Sequence, residues 1–149
     1  MGASVRKIYY NELGQLLELY RHLNEEDPDI SGEKGTLELW DRIVTDPGQK
    51  IFVVEEDGKL VASCTLILVP NLTRGGKPYA LIENVVTHAD YRKRGFGRAV
   101  LEKAAAAARE AGCYKVMLMT GRKDDGVMTF YEKAGFDRGM KTAFCTKFQ

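Results

Sequence analysis

Cysteine is scarce in this chain of 149 residues, and its spacing is wrong for pairing: Cys64, Cys113 and Cys145 are odd in number and far apart, and no CxxC occurs. That argues against a disulfide framework and against a zinc site. The thiols are expected to be buried in a reducing cytosol, with no metal. Long apolar runs are missing too. No stretch of about 18 apolar residues appears, and the start, MGASVRKIYY, has no apolar signal core, so a cytoplasmic protein without a membrane partner is expected. Gly2 opens what could be a myristoylation signal, but Arg6 replaces its Ser or Thr. Neither sign of charge dominates, with 22 Lys and Arg against 21 Asp and Glu. Non-specific nucleic-acid affinity comes from many phosphate contacts, so a general polyanion surface is not expected. There is no internal repeat, no linker and no low-complexity run beyond Ala104–Ala108, which is good helix former. The expectation is one domain, 1–149.

What is present alternates between two periodicities. VRKIYY is rich in β-branched and aromatic residues and predicts a first strand. Asn11 is placed to cap a helix in which Leu13, Leu16, Leu17 and Tyr20 recur at helical spacing. After an acidic loop, TLELWDRIV predicts a second helix with Leu37, Trp40 and Ile43 on one face. KIFVVEE and KLVASCTLILVP flank Asp57-Gly58, a strong two-residue hairpin signal. NLTRGGKP is a turn, YALIENVVT an apolar strand, and Gly97 to Ala111 a helix ended by Gly112. YKVMLMT predicts a strand, VMTFYEKA a helix stopped by Gly135, and TAFCTKF a last strand. The order is β-α-α-β-β-β-α-β-α-β, a mixed α/β domain. The pair YALIENVVT and YKVMLMT, joined through a helix, should be parallel.

The segment YRKRGFGRAV, Tyr91 to Val100, concentrates four cations and two glycines. Arg94 to Gly97 match half of an RNA-binding motif, but Arg98 and Leu101 stand where aromatics are required, and the following residues are helical. A dinucleotide fingerprint fails because Val100 occupies the third glycine position. The physics of a helix start favours a third reading. Unpartnered N–H groups and partial positive charge gather there. Gly95 and Gly97 remove side chains, so an anion can reach the main chain. Arg92, Lys93, Arg94 and Arg98 surround the approach, making a pyrophosphate cradle.

Arg92-Lys93-Arg94-Gly95-Phe96-Gly97 fulfils the Q/R-x-x-G-x-G/A fingerprint, and in it the chain resembles the GNAT superfamily of acetyl-CoA-dependent N-acetyltransferases. LIENVVTHADYRKRGFG resembles the family's fourth strand and cradle, GCYKVMLMT its fifth strand, and FYEKAGF its terminal helix. The flavour is nearest to the glucosamine-phosphate N-acetyltransferase type. The resemblance implies a mixed, mostly antiparallel sheet with one parallel crossover and a V-shaped splay. It implies acetyl-CoA as co-substrate, held by the backbone of Arg92, Lys93, Arg94, Gly95, Phe96, Gly97, Arg98 and Ala99. Val85, Val86 and Thr87 would pair their main chain with the pantetheine arm. Tyr131 would serve the leaving thiolate as acid or hydrogen-bond donor. Where the family often has an Asn before the last helix, Asp124 stands, either as a cofactor contact or as a helix cap.

An amine must be neutral to attack, and a free alkylamine has a pKa near ~10.4. Glu83 is the best base: it lies in an apolar strand, two residues before Val85 and hence on the same face. A structural ion pair or hydrogen bond holding the sheet is its equal alternative. Asn84 should point to the other face, His88 belongs to a turn or is an alternative base, and His22 lies at the surface. Thr120 and Gly121 end the fifth strand, where they could line the cleft. The acceptor is open among an amino sugar phosphate, a polyamine, an amino acid-like compound and a protein amine, with a small-molecule primary amine preferred. Glu25, Glu26, Asp27, Asp29 and Glu33 would draw a cation, whereas Arg74 and Lys77 would grip an anion. Rival readings are transfer of another acyl group, or a CoA-binding sensor without catalysis. A homodimer would form through the last strands.

Overall fold

The computed structural model describes residues 3–148, and its centre is a five-stranded sheet with helices against both faces. The strands are β1 (Val5–Lys7), β2 (Gln49–Glu56), β3 (Lys59–Val69), β4 (Tyr79–Thr87) and β5 (Val116–Leu118), in sequence order across the sheet. The first four run antiparallel; β4 and β5 are parallel. The helices are α1 (Leu13–Tyr20), α2 (Thr36–Thr45), the single turn α3 (Thr73–Gly76), α4 (Phe96–Glu110) and α5 (Asp125–Lys133). None is long and apolar enough to cross a membrane.

Local chemistry sets most of these boundaries. Asp57 and Gly58 both adopt left-handed φ, 52° and 75°, the two-residue turn whose twist matches the flanking strands. Gly112 ends α4 at φ 84°, and the Cys113 N–H returns to the Ala108 carbonyl at 3.0 Å, closing the helix end. Gly135 does the same for α5, with Phe136 N–H donating to Tyr131 O at 3.1 Å.

Two cores lie on opposite faces. Phe52, Cys64, Leu66 and Ile82 meet Val100, Leu101 and Ala104 of α4, with α5 residues Phe130 and Tyr131 at the margin. Ile51, Val53, Leu60 and Val86 meet Leu16, Leu19 and Trp40 of the first two helices. The Trp40 indole N–H donates to Tyr10 O at 2.9 Å, so a large apolar side chain is buried without orphaning its one polar atom.

Four expectations are corrected. Asn11 caps nothing. It sits inside a 3-10 turn, Tyr10–Glu12, where the buried Glu12 carboxylate accepts from Tyr9 N–H at 2.8 Å and is bound by Arg6. Leu37 is 64 % exposed and does not join Trp40; the buried face of α2 carries Thr36 and Trp40 instead. The thiols are not all buried. Cys64 is, with its S–H toward Val100 O at 3.4 Å and burial pushing its pKa up to about 12; Cys113 is half-buried and Cys145 exposed. TAFCTKF forms no strand. Residues 141–148 have no regular secondary structure and pair with nothing among the described residues, and Phe144 and Phe148 are 92 % and 91 % exposed. Alternation gives a segment strand propensity, but a strand exists only where a partner offers the ladder.

Candidate active site

Strand β4 creates the site by changing its own parity. Ser63 faces Val86 and Thr65 faces Glu83, so two steps of β3 span three of β4. The extra residue is a bulge at Asn84, which holds a left-handed φ of 53°. Glu83 therefore shares the α1 face with Val86, while Val85 packs with Ile82 on the α4 face. The expectation that Glu83 and Val85 face one way is overturned, because strict alternation does not survive a bulge. The β4–β5 ladder ends at Ile82 and Leu118, yet β4 continues to Thr87. Beyond the bulge the two parallel strands part. That shortens β5 from the anticipated seven residues to three. From Glu83 to Thr87 the edge of β4 turned away from β3 has no strand partner among the described residues.

The open edge leads into the start of α4. No side chain caps this helix, whose first internal bond runs from Ala99 N–H to Gly95 O at 3.0 Å. The N–H groups of Phe96, Gly97 and Arg98 are left for another partner, with the helix dipole behind them. The two glycines do different things. Gly95 adopts φ 85°, and a Cβ there would meet nothing within 4 Å, so the space ahead of the helix is open. A Cβ on Gly97 would stand 2.9 Å from Thr87 Oγ1 and 3.1 Å from Phe130 Cζ. The absence of a side chain at Gly97 lets β4, α4 and α5 converge.

The cationic side chains are mostly engaged within the loop. Arg92 donates to Thr87 O at 3.3 Å and to His22 O at 3.5 Å. Arg94 lies 3.8 Å from the Glu56 carboxylate and over the Tyr91 and Phe96 rings. Arg98 pairs with Glu102 at 2.9 Å, and Lys93 is exposed at φ 63°. The Phe96 side chain is core. What the loop presents outward is its main chain. Sequence reasoning missed Tyr91, buried beneath this loop with its hydroxyl donating to Asp57 Oδ2 at 2.9 Å. No local pattern could have linked it to a hairpin turn 34 residues earlier.

Tyr131 is half-buried, edge-on to Phe130 with ring centroids 5.0 Å apart. Burial pushes its phenol pKa above the ordinary 10.0, with the Arg122 charge opposing, so the hydroxyl keeps its proton through the neutral range. Asp124 is the N-cap of α5: Oδ2 accepts from Val127 N–H at 3.3 Å, and Arg122 lies 3.4 Å from Oδ1. Thr120 Oγ1 accepts from Arg122 N–H at 3.1 Å, turning the chain just past β5. Glu83 is exposed and, among the described residues, forms no ion pair. On its face of the sheet, Ser63 Oγ and Thr65 Oγ1 are buried without hydrogen-bond partners. The Tyr20 phenol stands beside Thr65 and Asn84 but makes no bond of good geometry to Thr65; burial raises its pKa and these neighbours offset part of the rise. A groove of about 180 Å³ runs from Tyr20 along α1 to Asn24, Asp27 and Asp29.

Among proteins of known sequence, a glucosamine 6-phosphate N-acetyltransferase of Trypanosoma brucei brucei is 36% identical over 135 residues, covering 89% of this chain and 87% of its own. Among solved structures, "Putative acetyltransferase from Agrobacterium tumefaciens str. C58" superposes with a TM-score of 0.91 at 46% identity, covering 97% of this chain and 99% of that one. The glucosamine-6-phosphate N-acetyltransferase of Arabidopsis thaliana superposes with a TM-score of 0.80 at 25% identity over 99% of both chains. The model of the acetyltransferase (GNAT) family matches residues 16–136, a span that runs from α1 through the bulged β4 and the uncapped α4 to the end of α5. The chain thus belongs to the GNAT family of acetyltransferases, enzymes that draw their acetyl group from acetyl-CoA.

Proposed function

We propose that this protein moves the acetyl group of acetyl-CoA to the primary amine of a small molecule, by direct attack of the amine on the thioester. One observation carries the reading: the unpaired edge of β4 from Glu83 to Thr87 runs into the uncapped start of α4. The first suits the amides of the pantetheine arm, which Val85, Val86 and Thr87 meet with their main chain. The second suits a pyrophosphate, which the N–H groups between Arg92 and Ala99 hold. Acetyl-CoA supplies an activated acyl group, and the remaining work falls to side chains. Tyr131 gives a proton or hydrogen bond to the departing sulfur. Glu83 takes the proton of the incoming ammonium, directly or through water, from the opposite face of the sheet. Asp124 contributes by fixing the start of α5 and so the place of Tyr131.

Calorimetric titration with acetyl-CoA tests the cradle, and absence of binding overturns the proposal. Glucosamine 6-phosphate, the acceptor named for the trypanosomal relative, is the first amine to assay. Replacing Glu83 by Gln should lower kcat/KM by about 10²-fold while acetyl-CoA binding persists. A merely structural Glu83 would leave kcat/KM near the native value.

We also propose that the protein is a homodimer. The segment 141–148 carries Phe144 and Phe148 into solvent, and β5 is an open sheet edge. Exposed aromatic side chains and an unpaired strand edge each invite association. Phe144→Asp together with Phe148→Asp should convert a sedimenting dimer to monomer. A native protein that sediments as a monomer overturns the dimer.

A further inference from the structure

The chain's two histidines, His22 and His88, are 66 positions apart and lie ring on ring, centroids 4.0 Å apart and tilted by 33°. His22 follows α1 and opens the acidic loop; His88 follows β4 and opens the 3-10 turn Ala89–Tyr91 that leads into the cradle. Each ring uses Nδ1 as an acceptor. His22 Nδ1 accepts from Ala89 N–H at 3.2 Å, and His88 Nδ1 accepts from Asp90 N–H at 3.1 Å. Arg92 adds a second tie through its bonds to His22 O and Thr87 O. The Tyr91 ring stands edge-on to His88 at 5.2 Å.

We infer that His22 is a positioning residue: it clasps the entry to the acetyl-CoA cradle onto the end of α1, and the clasp opens on acidification. This rests on the acetyl-CoA reading above. The chemistry is that of an acceptor lost. Nδ1 can receive the Ala89 N–H only while it carries no proton, so the proton of the neutral ring resides on Nε2. Protonation turns Nδ1 into a donor aimed at a donor. The groups around His22 are the His88 ring and the Arg92 guanidinium, which disfavour its cation, and Asp90 and Glu18, which favour it. Burial weighs most, and the balance lowers the pKa of His22 from its ordinary 6.5. A folded-state pKa below the unfolded one means that the clasp contributes fully above pH 6.5 and is lost as pH falls through the folded value. The loop it holds is the one whose main chain meets the pyrophosphate. A loosened loop makes the ligand do the ordering, which weakens affinity without touching the reacting atoms.

The test measures the dissociation constant of acetyl-CoA by calorimetry from pH 7.5 to 5.5, on native protein, His22→Asn and His22→Ala. Asn offers Oδ1 near the place of Nδ1 and does not titrate; Ala offers nothing. The ligand's own phosphate ionises in this range, but equally for all three proteins. In the native protein the dissociation constant should rise several-fold more than in His22→Asn over that range. His22→Ala should bind several-fold more weakly already at pH 7.5, whereas His22→Asn stays near the native value. Two results overturn the clasp while leaving acetyl-CoA binding intact: identical pH slopes in native protein and His22→Asn, or native affinity in His22→Ala at pH 7.5. Absence of acetyl-CoA binding by the native protein at pH 7.5 overturns the clasp and the proposed function together.

Discussion

Tyr131→Phe should lower kcat by about 10²-fold while the dissociation constant of acetyl-CoA stays within about twofold of native. The ring keeps its edge-on contact with Phe130 and its place against the α4 core, so the fold loses only one hydroxyl. Burial holds that hydroxyl's pKa above 10.0, so the native enzyme should keep the acid form of Tyr131 across the neutral range and lose it only in strong alkali. The effect of the substitution should therefore be flat between pH 6 and 9, and an alkaline limb ascribed to Tyr131 must lie above pH 10. Steady-state rates and calorimetry on the same preparation decide the matter. Unchanged turnover would show that the phenol only packs, and another donor would have to serve the sulfur. Weakened acetyl-CoA binding with unchanged kcat would instead make Tyr131 a binding residue.

Gly97→Leu should cost more than any other single change in the cradle. A bare Cβ already falls 2.9 Å from Thr87 Oγ1 and 3.1 Å from Phe130 Cζ, and an isobutyl group would force the end of β4 away from α4 and α5. Overpacking of this kind costs about 1–3 kcal/mol. For a chain of this size that is a drop of roughly 2–10 °C in Tm, readable by scanning calorimetry. Because the displaced strand end is the one proposed to pair with the pantetheine arm, acetyl-CoA affinity should fall by at least about tenfold, beyond what stability explains. Gly95→Ala is the contrast. Its Cβ meets nothing, so its cost is the left-handed φ of 85° alone, about 1–2 kcal/mol. The loop can keep its path, and acetyl-CoA binding should persist. Equal losses of affinity in both variants would refute this division of labour.

The features written in neighbouring residues were legible in the sequence. The Asp57-Gly58 turn, the glycines closing α4 and α5, and the strand–loop–helix order from β4 to α4 each depend on local chemistry, and the structure has them all. The helix N-terminus beyond β4 could be placed for the same reason. What could not be read is what depends on pairing at a distance. The bulge at Asn84 is set by how β4 meets β3, and it moved Glu83 to the opposite face from Val85. Asn84 is a residue that tolerates left-handed φ, which was the one available signal. The meeting of His22 with His88, and of Tyr91 with Asp57, joins segments 66 and 34 positions apart that share no pattern. TAFCTKF shows the converse: its alternation is real, but the sequence does not say who supplies the other half of the ladder.

The unequal environments of the three thiols make this enzyme convenient to assay. Each turnover would release the free sulfhydryl of coenzyme A, which a disulfide dye reports by colour. Such dyes react with thiolates. Cys64, with a pKa near 12 and its sulfur against Val100 O, should stay silent, and the half-buried Cys113 should respond slowly. Cys145, exposed among the phenylalanines of the free C-terminal segment, should react at once and then saturate. The protein's own background is thus one rapid equivalent per chain. Its disappearance at rising protein concentration would also show the segment becoming covered.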